Sequence, residues 1–183
     1  MRDLDRVEAA ARELLRALGV ECHTHRDAPR AMAEAYAELL TPRPFCPTTF
    51  DNDGAYDELV LASSIPFTAL CPTHLMPYRG VAHVGYIAGE RVIGLSKIAR
   101  AVDYAARRLH EQAQMTERLV RWLDHTLGPV GCGAVLEAER LCDDAPRATT
   151  SRFRGVLRDD ESARREFLAR CPIAGAPLSV GAT

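Results

Sequence analysis

An α+β domain carrying a short helical arm is what this chain predicts, on three observations. Apolar residues recur at helical spacing near the N-terminus, strand-like runs follow in pairs, and a proline-rich stretch divides the two regimes. That division assigns the arm and its linker to residues 1–47 and the main domain to 48–183.

Leu4, Val7, Ala11, Leu14 and Leu18 repeat at helical spacing, and Gly19 stops the helix. Pro29 suits the first turn of a second helix, whose apolar face is Met32, Ala33, Tyr36, Leu39 and Leu40. Thr41-Pro-Arg-Pro-Phe-Cys-Pro47 cannot hold regular structure and reads as a linker. Residues 58–63 and 67–70 then read as strand, and 80–87 as a strand ended by Ala88-Gly89-Glu90. A long helical region covers 96–127, with Ser96 as its N-cap, an interruption around 110–114, and Gly128-Pro129 as its stop. Strands at 133–141 and 152–157 follow, then a helix at 159–168 with acidic residues in its first turn.

The composition sets limits on function. The 183 residues are 47% hydrophobic, enough for one ordinary core, and the formal charge of −2 gives no reason to expect nucleic acid or an anionic membrane. No apolar run reaches the length of a membrane-spanning helix, and Met1-Arg-Asp-Leu-Asp5 is not the start of a signal peptide. A soluble cytoplasmic protein is expected. The irregular spacing of its six cysteines (22, 46, 71, 132, 142 and 171) favours thiols or metal ligands over disulfides. Cys132 reads as a small buried hydrophobe, and Cys22, Cys46 and Cys171 receive no function.

Cys71-Pro-Thr-His74 carries the chemistry. Two soft ligands three residues apart fit one turn, and the distant Cys142 can complete a tripod for zinc. Three protein ligands leave a fourth position for water, whose pKa zinc lowers to about 7. The alternative is a structural zinc closed by a fourth residue, for which Asp143, Asp144 and His125 are candidates.

The stretches Cys71-Pro-Thr-His-Leu-Met-Pro-Tyr78, Val84-Gly-Tyr-Ile87, Val92-Ile-Gly-Leu-Ser-Lys-Ile-Ala-Arg100 and Arg107-Arg-Leu109 occur in that order. Glu137-Ala138 leading to Cys142, Thr150-Ser151, Gly155-Val-Leu-Arg158 and Arg165-Glu-Phe-Leu168 continue the series. Upstream lie Ala28-Pro29 through Tyr36 and Tyr56-Asp-Glu-Leu-Val60. Together they resemble GTP cyclohydrolase I, collinear from about 27 to 168 apart from one deletion. The resemblance implies a tunnelling fold (T-fold), in which a four-stranded antiparallel sheet is backed by helices and subunits join their sheets into a barrel. It also implies Cys71, His74 and Cys142 as zinc ligands, and a homo-oligomer with its active sites at subunit interfaces.

Departures from the family pattern are as informative. Thr73 stands where the family has a histidine before the ligand histidine, and Arg140 where it has another before the second cysteine. Threonine does not titrate near neutrality and arginine stays protonated, so both proton shuttles are gone. In His110-Glu-Gln-Ala-Gln114 the family's guanine-gripping glutamate falls on Ala113, and Glu111 could replace it only through a local shift; Gln112 keeps its place. Phosphate-binding arginine and lysine fall on Ala31 and Glu34, whereas Ser96, Lys97 and Arg100 are retained. Asp143, Asp144, Arg140 and His110 are the candidates to take over the lost chemistry: base, base, oxyanion donor and proton carrier. His23, His25, His83 and His125 otherwise read as surface or satisfied histidines.

The expectation is a zinc-dependent hydrolase of this family, with zinc-bound water attacking a C=N or amide carbon of a small heterocyclic or N-formyl-type substrate other than GTP. GTP cyclohydrolase I itself ranks second, and a zinc-bearing scaffold or regulatory subunit third.

Overall fold

The structure, a computed structural model, describes residues 3–20, 26–142 and 147–172. In the arm, α1 (Leu4–Ala17) opens at Asp3, whose carboxylate accepts the Arg6 N–H at 3.1 Å, and closes before Gly19 at φ +76°. It packs on α2 (Ala28–Leu39), where Arg30 reaches back to Asp5 and Glu8. Leu14 and Leu18, expected on the apolar stripe, are exposed.

Beyond the linker come β1 (Thr49–Asp51), β2 (Leu59–Leu70), β3 (Pro77–Ile87), β4 (Arg91–Ile93), α3 (Leu95–Ala106), α4 (Gln112–Leu127), β5 (Gly131–Arg140), β6 (Ala148–Gly155), α5 (Val156–Asp159) and α6 (Glu161–Ala169). The main sheet has the order β2-β3-β5-β6 and is antiparallel throughout. Alternation along β3 turns Tyr78, Ala82, Val84 and Tyr86 toward α3 and α4, where they meet Ile98, Val102, Leu119 and Leu123 in the main core. A smaller cluster of Leu59, Val135, Leu157 and Phe167 covers part of the opposite face. This α+β arrangement of an antiparallel sheet backed by helices is the one the tunnelling fold requires.

Several boundaries differ from expectation. The runs at 58–63 and 67–70 are one strand, β2, whose register slips between Ala62 and Ile65 where Ser64 adopts φ +55°. The helical region is two helices parted at 107–111, and Gly94 rather than Ser96 is the first N-cap. The ribbon of β1 with β4 was not expected; three-residue strands give too short an alternation to read. No helix among the described residues is long and apolar enough to cross a membrane. The described cysteines 46, 71, 132, 142 and 171 are in no disulfide, and Cys22 lies outside the described residues.

A candidate metal centre and its surroundings

The turn that leaves β2 folds onto itself. The Cys71 N–H donates to the Met76 carbonyl at 3.0 Å, and the Leu75 N–H to the Cys71 carbonyl at 2.9 Å, with Leu75 at φ +56°. Tyr36 of α2 donates its hydroxyl to the Leu75 carbonyl at 3.1 Å, tying the arm to this turn. His74 is thereby carried back until Nδ1 lies 3.9 Å from the Cys71 Sγ. Cys142, just past β5, brings its sulfur to the same place: the three donor atoms lie within 4.8 Å of one another.

Two thiols and an imidazole at this spacing fit zinc, a borderline-soft ion that accepts sulfur and nitrogen. Among the described residues no other group of three histidine, cysteine or carboxylate donors converges in this way. His125, a candidate fourth ligand, is not part of the group; Asp143 and Asp144 lie outside the described residues. Burial of Cys71 opposes its ionisation. The backbone N–H groups of His74 and Thr73, then the His74 ring and the Cys142 thiol, outweigh it and bring the Cys71 thiol down to about 7. The exposed Thr73 thus acts through its backbone.

The segment joining α3 to α4 meets the end of β2 at Leu109, beside Leu70, and three consecutive residues there, His110, Glu111 and the first residue of α4, Gln112, bond to different partners. His110, expected as a proton carrier, is 1% exposed. Its Nε2 lies 3.0 Å from the Ala105 carbonyl and its Nδ1 3.4 Å from the Tyr78 hydroxyl, so both ring nitrogens are engaged. Burial pulls its pKa down, reinforced by Arg118. Glu111 caps α4 and accepts Arg140 Nη2 at 2.8 Å. Gln112 is 1% exposed, and its Nε2 donates to the carbonyls of Leu136 and Ala148 at 2.9 and 3.0 Å. That amide nitrogen is therefore unavailable to a substrate; the oxygen Oε1 is buried without a partner.

Arg140 and Cys142 are two residues apart, the spacing of one strand face. β5 ends at Arg140, so strand alternation does not extend to Cys142. They still share a neighbourhood: Tyr78, opposite Arg140 across the sheet, is raised above the usual tyrosine range by burial, with Arg140, Glu111 and Cys71 as its charged neighbours. Ala113 is exposed on the first turn of α4, and Glu34 on α2 pairs with Arg30 at 2.7 Å. Ser96 and Lys97 lie on the first turn of α3. Arg100, one turn further on, lines a cleft of about 430 Å³ with Arg43, Pro44, Phe45, Ala99 and Asp103. No triad residue lines that cleft.

One buried pair escaped the sequence reading. His83, expected at the surface or fully satisfied, is 0% exposed, its Nδ1 accepts the Ser64 N–H at 3.3 Å, and its Nε2 lies 3.6 Å from Glu137 Oε1. Position alone carried the signal: His83 and Glu137 sit on adjacent strands two registers apart.

The family profile described as GTP cyclohydrolase I matches residues 7–172. A protein named GTP cyclohydrolase 1 from Mycobacteroides abscessus is 42% identical, over 91% of this chain and 88% of its own length. One of the same name from Mycobacterium ulcerans is also 42% identical, over 91% of this chain and 89% of its own length. A third from Streptococcus thermophilus is 35% identical over 92% of this chain and 97% of its own.

Proposed function

The chain belongs to the GTP cyclohydrolase I family, and from that premise we propose that it is a zinc-dependent hydrolase acting on carbon–nitrogen bonds at Cys71, His74 and Cys142. The observation that carries the reading is the convergence of those three donors, from a turn and a strand end about seventy residues apart in sequence. Zinc held there would supply a Lewis acid and a nucleophilic water at neutral pH. A scaffold without activity would have little use for an intact ligand set.

GTP is the substrate that the relatives support best. Proteins named GTP cyclohydrolase 1 at 35–42% identity over most of the chain favour it over the redirected substrate that the sequence departures had placed first. In this reading Asp143 or Asp144, next to a ligand, takes the proton from the attacking water. Arg140 stabilises the oxygen that gains charge at the reacting carbon. His110 stays out of the proton path, because burial and two bonds hold it in one tautomer. Ser96, Lys97 and Arg100 are the candidates for phosphate contact, supplied across a subunit boundary. The chain would then work as a homo-oligomer, a reading supported by the sheet edges: β2 and β6 each pair on one side among the described residues.

A second reading keeps one specific observation in its favour. Glu111, which could have replaced the missing guanine acceptor, is bonded to Arg140, and Ala113 offers no acceptor at all. A smaller, less charged heterocycle or N-formyl compound fits that arrangement. Formate release from GTP by fully zinc-loaded protein separates the two. Turnover of about 0.1–1 per second, the low end for ordinary enzymes, is expected if GTP is the substrate. No formate from protein holding one zinc per chain would leave the second reading standing.

A further inference from the structure

The geometry points to Glu111 as the positioning residue of this site. Through its bond it holds the Arg140 guanidinium beside the Cys71–His74–Cys142 triad, and so selects a ligand presenting an anionic or carbonyl oxygen there. The inference rests on the reading of the triad as a metal centre. It gives Glu111 a role other than contact with a substrate edge.

Glu111 is itself held from several directions. Its backbone N–H donates to Gln114 Oε1 at 3.2 Å, and its carboxylate accepts the Gln114 N–H in return, closing a capping box on α4. On either side, His110 is bonded to α3 and β3, and Gln112 to the carbonyls of β5 and β6. The main chain at 111 therefore cannot slide along the sheet. A carboxylate is also favoured at the N-terminus of a helix as long as α4.

Arg140 is the last residue of β5 and reaches Glu111 on a long side chain. Glu111 Oε2 meets Nη2 at 2.8 Å, with the arginine side chain 26% exposed and the glutamate 43%. A part-buried pair still largely open to solvent, as this one is, adds little to folding stability. Its consequence is orientation: a planar, permanently charged fork is held at the end of β5, two residues before Cys142.

The test uses cobalt in place of zinc, because tetrahedral cobalt reports ligand exchange in its visible spectrum. Full-length protein loaded with cobalt is titrated with sodium formate, and a dissociation constant is read from the spectral change. Glu111→Gln and Arg140→Gln should each weaken formate roughly tenfold, the loss of about one charge-assisted hydrogen bond. The double variant should be no weaker than Arg140→Gln alone, and Arg140→Lys should fall between. Thermal melts and cobalt content identify variants that remain folded and loaded. Wild-type affinity in Glu111→Gln beside a weakened Arg140→Gln would show that Arg140 needs no positioning. Wild-type affinity in Arg140→Gln would remove the guanidinium from the ligand site, and either result overturns the inference. Failure of the wild-type protein to take up cobalt would overturn both this inference and the metal reading beneath it. A loaded protein that binds formate but releases none from GTP would count only against GTP as substrate.

Discussion

The hydroxyl of Tyr78 lies 3.4 Å from Nδ1 of His110, whose other nitrogen lies 3.0 Å from the Ala105 carbonyl. A carbonyl can only accept, so Nε2 carries the proton and Nδ1 accepts from the phenol. One buried histidine thus joins β3 to the end of α3 across the break between α3 and α4. Tyr78→Phe should leave Nδ1 without its donor and cost about 1–3 kcal/mol. Made on top of His110→Ala, the same change should cost much less, since the acceptor is already gone. Urea unfolding of the two single variants and the double measures this, and an unshifted midpoint for Tyr78→Phe would refute it.

Cys142→Ser should lose most of its bound zinc, and Cys71→Ser should do the same. A serine hydroxyl replaces a thiolate poorly for a borderline-soft ion. Metal analysis after dialysis against a weak chelator reads the outcome. Full occupancy in Cys142→Ser would remove it from the ligand set.

Acidification should destabilise the fold below neutrality. Burial pulls His83 down, against the opposing pull of Glu137; burial and then Arg118 pull His110 down. Both folded values therefore lie below the unfolded value of about 6.5, and the unfolded chain binds more protons between them. Their contribution is complete above about pH 6.5 and is lost as the pH falls through the folded values. Urea midpoints should drop between pH 7.5 and 5, and less so in His83→Gln. A midpoint independent of pH over that range would contradict the assignment.

Gln112→Ala should reduce stability by about 2 kcal/mol or more, because the Leu136 and Ala148 carbonyls lose a shared buried donor. Gln112→Glu should be worse, since a carboxylate would face two acceptors. Should Gln112→Ala keep its stability and instead weaken substrate affinity, the substrate-binding role expected from sequence would stand.

Gly155→Ala should be among the most damaging single changes, at about 3 kcal/mol or more. The residue ends β6 at φ +58°, and an added Cβ would run into the Val130 carbonyl. Recovery of soluble protein with a wild-type melting temperature would show that the turn relaxes freely.

Much of the architecture is legible in the residues. The pairing of strand runs, the stop at Gly128, the interruption before α4 and the division after the arm all follow from periodicity and turn chemistry, which are local. The slip in β2 at Ser64 and the ribbon of β1 with β4 are not legible, because pairing partners decide them. In the site, Cys71, His74 and Cys142 can be named from donor chemistry and spacing. The fates of His110, Glu111 and Gln112 cannot: three consecutive polar residues at a helix start look alike, and their partners, on α3 and β3, on the last side chain of β5, and on the main chain of β5 and β6, are brought together only by folding.

By itself the sequence offered the sulfur and nitrogen donors that can hold a metal, a property of side-chain chemistry; that Thr73 and Arg140 stand where histidines are expected followed only from the resemblance to the family. Only the tertiary structure decided that His110 and His83 are buried, that Gln112 is turned onto backbone carbonyls, and that Glu111 meets Arg140. The hydrogen-bond partners in those outcomes lie between five and thirty-six positions away along the chain, and folding brings them alongside. A side chain's hydrogen-bond partners and dielectric surroundings are set by what packs against it, and the strand or helix it belongs to does not specify them.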